Sequence, residues 1–167
     1  MKVFKFGGAS VRNAVALQNV ASIIQGHSQQ LLVVVSAMGK TTDTLERIVS
    51  LSQAKQTIAS EMELLKTYHQ KIVHTVFQND KVVNLELQKV FHKIEQEVAK
   101  GSDFDQIYDQ VVSLGEVLSS VVLSHYLTDR GIENNWIDAR LFISTDNNFR
   151  EGKVDWDKTK INIKKLE

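Results

Sequence analysis

Cysteine is absent from the 167-residue sequence. Disulfide bonds, thiolate metal sites and a cysteine nucleophile are therefore excluded. Proline is absent as well, and we find no functional reason for its absence. The five histidines, at positions 27, 69, 74, 92 and 125, lack metal-ligand spacing with a carboxylate partner. The sequence therefore predicts no metal site built from histidine.

The chain also lacks an excess of either charge, since 20 basic residues balance 20 acidic ones and the formal net charge is +0. Without a long-range field, nucleic acid and anionic membranes are unfavoured partners. We find no stretch that approaches the roughly 20 apolar residues of a membrane span. The first residues, MKVFKFGG, lack the apolar core of a signal peptide. These features predict a cytoplasmic enzyme or binding protein.

The first 35 residues have the pattern of a strand, a helix and a second strand. Residues 2–6 and 31–35 are short and apolar, and apolar residues recur at helical spacing from Ser10 to Gln25. Gly26 suits the position just past a helix end. This order predicts a βαβ unit with parallel strands. The run LLVVV has no polar residue, which predicts a strand covered on both faces.

The remaining sequence is mostly helical by pattern. Apolar stripes predict helices from about residue 57 to 100, interrupted near Asn79, and another from about Asp105 to Asp129. The segments NNWIDA and LFIST predict two short strands, and the tail predicts one more helix. About four strands and many helices indicate an α/β fold with a mainly parallel sheet. Because no strand follows the last helix, we expect the chain to be the front part of a domain.

The segment LLVVVSAMGKTTD has a superficial likeness to a P-loop, since an apolar run precedes Gly39-Lys40. That motif requires a glycine five positions before the Gly-Lys pair. Val34 occupies this position, inside the predicted strand. The backbone therefore lacks a flexible residue where it would have to bend around phosphates, and the P-loop interpretation is unfavoured.

Two loops at strand ends are better candidates for anion binding. Lys5 ends the first strand beside Gly7 and Gly8, whose backbone N–H groups could approach phosphate oxygens near a helix start. Ser36 begins the loop after the second strand. Ligands of open α/β sheets lie beyond the carboxyl ends of the strands, so both loops should face one site. The alternative is a pair of ordinary polar turns.

A third candidate is Glu116, which stands beside Gly115 within a predicted helix. Glycine inside a helix costs about 1 kcal/mol relative to alanine, so close approach of another group is a reason to have it. A carboxylate at this position would suit an ammonium group. The alternative is a surface glutamate without a binding role.

Four segments together resemble the aspartate kinases of the amino acid kinase family, in particular the bacterial monofunctional type. They are KFGGASV, VVSAMGKTTD, SLGEVLSS and WIDARLFISTDNNFREG, which occur in this order. The resemblance implies a three-layer αβα fold with a mainly parallel sheet, present here only in its N-terminal part. It also implies that residues 1–167 form one piece of a kinase domain with a helical insert at about 57–104.

The resemblance further implies ATP-dependent phosphorylation of the side-chain carboxylate of L-aspartate, with Mg²⁺, as the first step toward lysine, threonine and methionine. By it, Lys5 contacts the transferred phosphate as the catalytic residue, Thr42 helps to hold aspartate, and Glu116 receives its ammonium group. The implied phosphate-binding residues are Lys5, Phe6, Gly7, Gly8 and Ser36. Ala9 departs from the family pattern, which has threonine there in most members.

The family's later nucleotide-binding segment and its regulatory ACT domains have no counterpart in the 167 residues. We therefore expect this chain to be catalytically inactive alone, and we expect a homo-oligomer. Two rival hypotheses remain open. One is another kinase of the same fold, acting on glutamate, acetylglutamate or a nucleotide. The other is a non-catalytic binding or assembly module that reuses the half-domain.

Overall fold

The computed structural model describes residues 1–166. A two-stranded parallel sheet lies at one side of a helical body. The strands and helices are β1 (Lys2–Phe6), α1 (Ala14–Gln25), β2 (Leu31–Val35), α2 (Thr41–Gln53), α3 (Ala59–Val76), α4 (Lys81–Ala99), α5 (Phe104–Val112), α6 (Leu114–Asp129) and α7 (Trp156–Ile163). Short 3₁₀ turns occupy Gly8–Val11, Ala139–Leu141 and Lys164–Leu166.

The predicted βαβ unit is confirmed, with β1 and β2 parallel and Lys5 opposite Val34. Its helix begins later than predicted, at Ala14, not at Ser10. The reason is Asn13, whose side chain accepts a hydrogen bond from the Ala16 N–H at 2.9 Å and caps the helix. The 3₁₀ turn Gly8–Val11 fills the space between strand and helix.

The expectation that β2 is covered on both faces is wrong for the described part of the chain. Val35 is buried, whereas Leu32 and Val34 are each 44% exposed. Val3, on the neighbouring strand, is 60% exposed and shares this face because it pairs with Leu32. One face of the sheet therefore packs on the helices and the other faces outward.

The two further strands predicted in NNWIDA and LFIST are also wrong. Residues 134–138 have no regular secondary structure, and a 3₁₀ turn covers Ala139–Leu141. A single antiparallel bridge joins Thr145 to Val154. A strand needs a neighbour that supplies backbone partners, and within residues 1–166 these segments have none beyond that bridge. Most of their large apolar side chains, including Leu141 at 72%, stay exposed.

The helical part follows the predicted stripes. The helices α3 and α4 are separated near Asn79 and contribute Leu65, Leu87 and Phe91 to the core. The helix predicted from Asp105 to Asp129 is instead two helices, α5 and α6, which meet at Ser113. The assignment of residues 57–104 as an insert, and of residues 1–167 as one piece of a kinase domain, remains a prediction.

The stretch Phe104–Asp129 corrects one sequence-based statement, because its length and composition do reach those of a membrane-spanning helix. In the structure, 61% of its most apolar window is buried inside the fold. It is divided into α5 and α6, and α6 packs against α4, α1 and β2. The stretch therefore contributes α6 to the core of this body, and the burial of α6 accounts for its apolar composition.

Candidate active site

The two loops predicted to bind anions lie together at the carboxyl ends of the strands. The Ser36 N–H donates to the Phe6 carbonyl at 3.0 Å, which extends the strand pairing by one residue. Farther out, the Gly39 N–H donates to the Gly8 carbonyl at 3.1 Å. These two hydrogen bonds join the first loop to the second and define one edge of the sheet as the candidate site.

Gly8 is required by this arrangement. A Cβ atom at Gly8 would lie 2.5 Å from the Ala37 carbonyl oxygen, a distance that real side chains do not tolerate. Gly7 differs, because a Cβ there would meet no protein atom within 4 Å. Its φ of −73° is open to any residue. The space beside Gly7 is therefore left clear by the fold, as a backbone that approaches a ligand would need.

The two glycines supply a matched pair of substitutions. We expect Gly8→Ala to lower the free energy of unfolding by about 1–3 kcal/mol, because the loops must separate to admit the methyl group. Gly7→Ala should leave stability unchanged or raise it by up to about 1 kcal/mol, because alanine restricts the unfolded chain. Urea denaturation measures both. Equal losses for the two variants would contradict this description of the loops.

Glu116 lies in the first turn of α6, not in the middle of a longer helix as the sequence predicted. Its Oε1 accepts a hydrogen bond from the Ala37 N–H at 3.2 Å, which ties the helix to the second loop. The positive end of the helix dipole also favours a carboxylate at this point. The side chain is otherwise exposed.

The close approach inferred from Gly115 is confirmed. A Cβ atom there would lie 2.9 Å from the Ala37 Cβ, 3.1 Å from Leu45 Cδ1 and 3.4 Å from Thr41 Cγ2. Glycine therefore lets α6 touch the second loop and the start of α2. This contact brings Glu116 to the same edge of the sheet as the two loops.

Thr42 lies in the first turn of α2 and is half-buried. Thr42 does not cap this helix. Lys40 occupies the cap position without a side-chain hydrogen bond. Just before it, Gly39 has a φ of +55°, a conformation that favours glycine, and turns the chain into the helix.

Lys5 lies on the outward face of the sheet and is exposed. Within residues 1–166 it forms no salt bridge and no side-chain hydrogen bond. The structure therefore places Lys5 at the strand end beside the glycine loop, while Glu116, Thr42 and Ser36 cluster around the second loop. No side-chain hydrogen bond or salt bridge joins Lys5 to this second group in the described part of the chain.

Two residues of α3 that sequence reasoning did not assign also contact the loops. The Tyr68 hydroxyl donates to the Arg12 carbonyl at 2.6 Å. It also lies where a side chain on Gly39 would stand, 2.5 Å from the ideal Cβ position. Next to it, His69 Nε2 lies 3.5 Å from Thr41 Oγ1. The signal in the sequence was a polar residue on an apolar stripe, since His69 falls in line with Met62, Leu65 and Ile72.

Burial shifts the pKa of both His69 and Tyr68. His69 is fully buried, and burial lowers its pKa to about 4, against a smaller opposing effect of its hydrogen bond to the Leu65 carbonyl. Burial likewise raises the pKa of Tyr68. At neutral pH His69 is therefore an uncharged imidazole and Tyr68 an intact phenol. Both act here as neutral hydrogen-bonding groups.

A bound metal would need several ligands close together. In residues 1–166 no group of three or more His, Asp or Glu side chains is arranged to hold one. The described residues therefore do not form a cage for Mg²⁺ by themselves. What they offer is a glycine loop, a lysine, and backbone and side-chain groups that suit small anions and an ammonium ion.

A parallel βαβ unit with anion-type loops at its strand ends is the mark of an α/β ligand-binding domain. The model of the amino acid kinase family matches residues 1–166. The chain belongs to this family.

Curated relatives of the chain include aspartokinases. The chloroplastic Aspartokinase 1 of Arabidopsis thaliana is 30% identical over 160 residues, which cover 91% of this chain and 28% of that protein. The Aspartokinase of Chlamydia trachomatis serovar D is 29% identical over 148 residues, which cover 88% of this chain and 32% of that protein. The chain thus spans less than a third of the length of either relative.

The fold also matches a solved structure. The crystal structure of E. coli aspartokinase III in complex with aspartate and ADP (R-state) superposes with a TM-score of 0.87 at 21% identity, covering 99% of this chain and 37% of that one. This match confirms the amino acid kinase fold predicted from the sequence motifs. The chain corresponds to part of that fold.

Proposed function

We propose that this chain forms the aspartate-binding and phosphate-contacting part of an aspartate kinase. The reaction is ATP-dependent phosphorylation of the side-chain carboxylate of L-aspartate. The observation that carries the proposal is the junction of three elements at one sheet edge. The Gly39–Gly8 and Glu116–Ala37 hydrogen bonds join both strand-end loops and the start of α6. The aspartokinase relatives support the choice of aspartate as acceptor.

The chemistry requires positioning more than proton transfer. The aspartate side chain has a reference pKa near 3.9 and is already a nucleophilic anion at neutral pH. The difficulty is bringing this anion to a polyphosphate. Lys5 and the N–H groups of the glycine loop would offset the repulsion and stabilise charge on the transferring phosphoryl group. Mg²⁺ would add further positive charge when bound.

Glu116 is suited to receive the ammonium group of aspartate. One of its carboxylate oxygens is anchored by the Ala37 N–H. Its other oxygen, Oε2, has no hydrogen bond to another residue within positions 1–166. An anchored carboxylate with one oxygen directed elsewhere offers an oriented acceptor for a cation. Thr42, the second residue of α2, would supply a further contact to the substrate.

Aspartate binding tests the proposal directly. In a ¹⁵N-labelled sample, L-aspartate should shift the amide resonances of Ala37, Thr42 and Glu116 in a saturable way. Glu116→Gln should weaken this binding at least about tenfold, because a hydrogen bond to a charged group is worth about 1.5–3 kcal/mol. Glu133→Gln, which removes an exposed carboxylate beyond the other end of α6, is the matched control and should bind as wild type.

Succinate, which lacks the ammonium group, should not produce the same shifts. A chain that binds neither aspartate nor ATP would favour the non-catalytic assembly module. A chain that prefers glutamate or acetylglutamate over aspartate would favour another kinase of the family. Either result would overturn the assignment of aspartate as substrate.

A cytoplasmic location remains a prediction.

Self-association is a further part of the proposal. Within residues 1–166 each strand is paired along one edge only, and Val3, Leu32 and Val34 expose an apolar face. Such strands invite pairing with another chain. We expect dimers or larger species in light scattering at high concentration, and Leu32→Lys should reduce them. Leu64→Lys, at a site on α3 that is 61% exposed, should not. A monomeric wild type would contradict the prediction.

A further inference from the structure

We propose that His69 is a positioning residue for the aspartate side of the site and acts through Thr41. The inference rests on the proposed function, because it assigns α3 the task of fixing the groups that hold the substrate. His69 is buried on α3 and has no direct role in the proposed phosphoryl transfer.

The hydrogen bonds of His69 define its tautomer. Its Nδ1 lies 2.8 Å from the Leu65 carbonyl oxygen, which only accepts, so Nδ1 carries the proton. Nε2 then has a lone pair, and the group it faces is the Thr41 hydroxyl at 3.5 Å. The hydroxyl therefore donates and His69 accepts. Tyr68 and Phe91 pack edge-on against the imidazole and hold its orientation.

Each member of this pair depends on the other. Thr41 is 2% exposed and His69 is 0% exposed, so neither polar atom has ready access to water. Within the described residues, the Thr41 hydroxyl and His69 Nε2 have no other hydrogen-bond partner. A buried polar atom that loses its partner destabilises the fold, so the pair fixes the rotamer of Thr41 even across a long contact.

Thr41 connects the pair to both proposed aspartate contacts. It is the first residue of α2 and directly precedes Thr42. Its Cγ2 lies 3.4 Å from the ideal Cβ position of Gly115, the residue before Glu116. A rotation of the Thr41 side chain would push its methyl group or its hydroxyl against α6 at that point. His69 thereby controls the distance between Thr42 and Glu116 without touching the substrate.

Tyr68, which precedes His69 on the same helix, contacts a different part of the site. Its hydroxyl contacts the Arg12 carbonyl and Gly39, on the side of the glycine loops. The side chains of Tyr68 and His69 therefore support different parts of the site. Aspartate binding should depend on His69 through a specific hydrogen bond, not through the general stability of α3.

The test compares variants that keep or remove this hydrogen bond. His69→Leu and Thr41→Val remove it with little change in volume, and Thr41→Ser keeps it. We expect His69→Leu and Thr41→Val each to weaken L-aspartate binding about three- to tenfold, with the double variant no weaker than either alone. Thr41→Ser should bind within about twofold of wild type. Val76→Ala, two turns along α3 in the same core, controls for lost stability and should also bind normally.

A second readout does not depend on the substrate. The ¹⁵N shifts of His69 in the free chain should show protonated Nδ1 and unprotonated Nε2, and Thr41→Val should move the Nε2 signal and the amides of Thr42 and Glu116. If the wild type binds no aspartate, the proposed function fails while these shifts still decide the positioning role. Unmoved Thr42 and Glu116 resonances, or additive losses in the double variant, would overturn the inference.

Discussion

Incubated with L-aspartate and MgATP, the 167-residue polypeptide alone is expected to release no ADP above background. Its described residues supply Lys5, a glycine loop and one side of the proposed aspartate site, but no group of three or more His, Asp or Glu side chains arranged to hold a metal ion. Phosphoryl transfer depends on positioning and on electrostatic stabilisation by several cooperating groups. Such groups are strongly non-additive, so a partial set loses many powers of ten in rate.

A coupled assay of ADP release measures this. An intact aspartokinase such as the Chlamydia relative, run under the same conditions, shows that the assay works. Lys5→Met provides the blank, because it removes the proposed phosphate contact while leaving the sheet intact. A rate for the wild-type polypeptide within the roughly 1–100 s⁻¹ of kinases, abolished by Lys5→Met, would show that these residues contain a complete site.

The helices were predictable because their signals are local. The stripe that includes Met62 and Leu65 specifies which face of α3 is buried, whatever the rest of the molecule does. The irregular structure that follows α6 was not predictable, because a strand is stabilised by its neighbour and a short apolar run does not reveal whether a neighbour is present. Trp136 and Leu141 suit a strand by composition, yet Trp136 lies in irregular structure and Leu141 in a 3₁₀ turn.

The candidate site likewise has contacts that the sequence predicts and contacts that only the tertiary structure shows. The meeting of Gly8 and Ser36 at one edge follows from the parallel βαβ unit, in which both strands end on the same side. The hydrogen bond between Glu116 and the Ala37 N–H joins residues 79 positions apart, and no periodicity announces such a contact. The only local sign was Gly115, a helix glycine whose cost is offset by close packing against Ala37.

His69 has a signal in the sequence other than metal-ligand spacing, which the five histidines lack. The informative feature is that His69 replaces an apolar residue on the buried stripe of α3, next to Leu65 and Ile72. A titratable side chain at a core position requires a hydrogen-bonding partner or a function. Its partner, Thr41, comes from another element, which only the tertiary structure identifies.

The buried histidine makes the stability of the fold depend on pH. Its pKa is about 4 in the folded chain, against 6.5 as the ordinary value that the unfolded chain regains. Between these values the unfolded state binds more protons, so the free energy of unfolding falls as the pH is lowered from 6.5 toward 4. Above pH 6.5 the histidine is neutral in both states and contributes no pH dependence.

The expected loss from His69 is about 2 kcal/mol between pH 6.5 and 4.5, and about 3 kcal/mol once the folded form is also protonated, at 1.36 kcal/mol per unit of pKa. Urea titrations at pH 6.5, 5.5 and 4.5 would measure it. The pKa of Glu97 lies below its ordinary value, because hydrogen bonds from Lys100 and Lys93 outweigh its desolvation. Protonation of Glu97 therefore destabilises the fold mainly below this pH window.

His69→Gln separates this effect from other acid sensitivity, because glutamine can accept from Thr41 and does not titrate. It should lose about 2 kcal/mol less than wild type between pH 6.5 and 4.5. His92→Gln removes an exposed histidine and keeps the buried one, so it should follow the wild-type curve. If wild type and His69→Gln lost stability in parallel, protonation of His69 would not oppose folding, and its imidazole would have to reach water. The description of a buried hydrogen bond between His69 and Thr41, out of reach of water, would then be wrong.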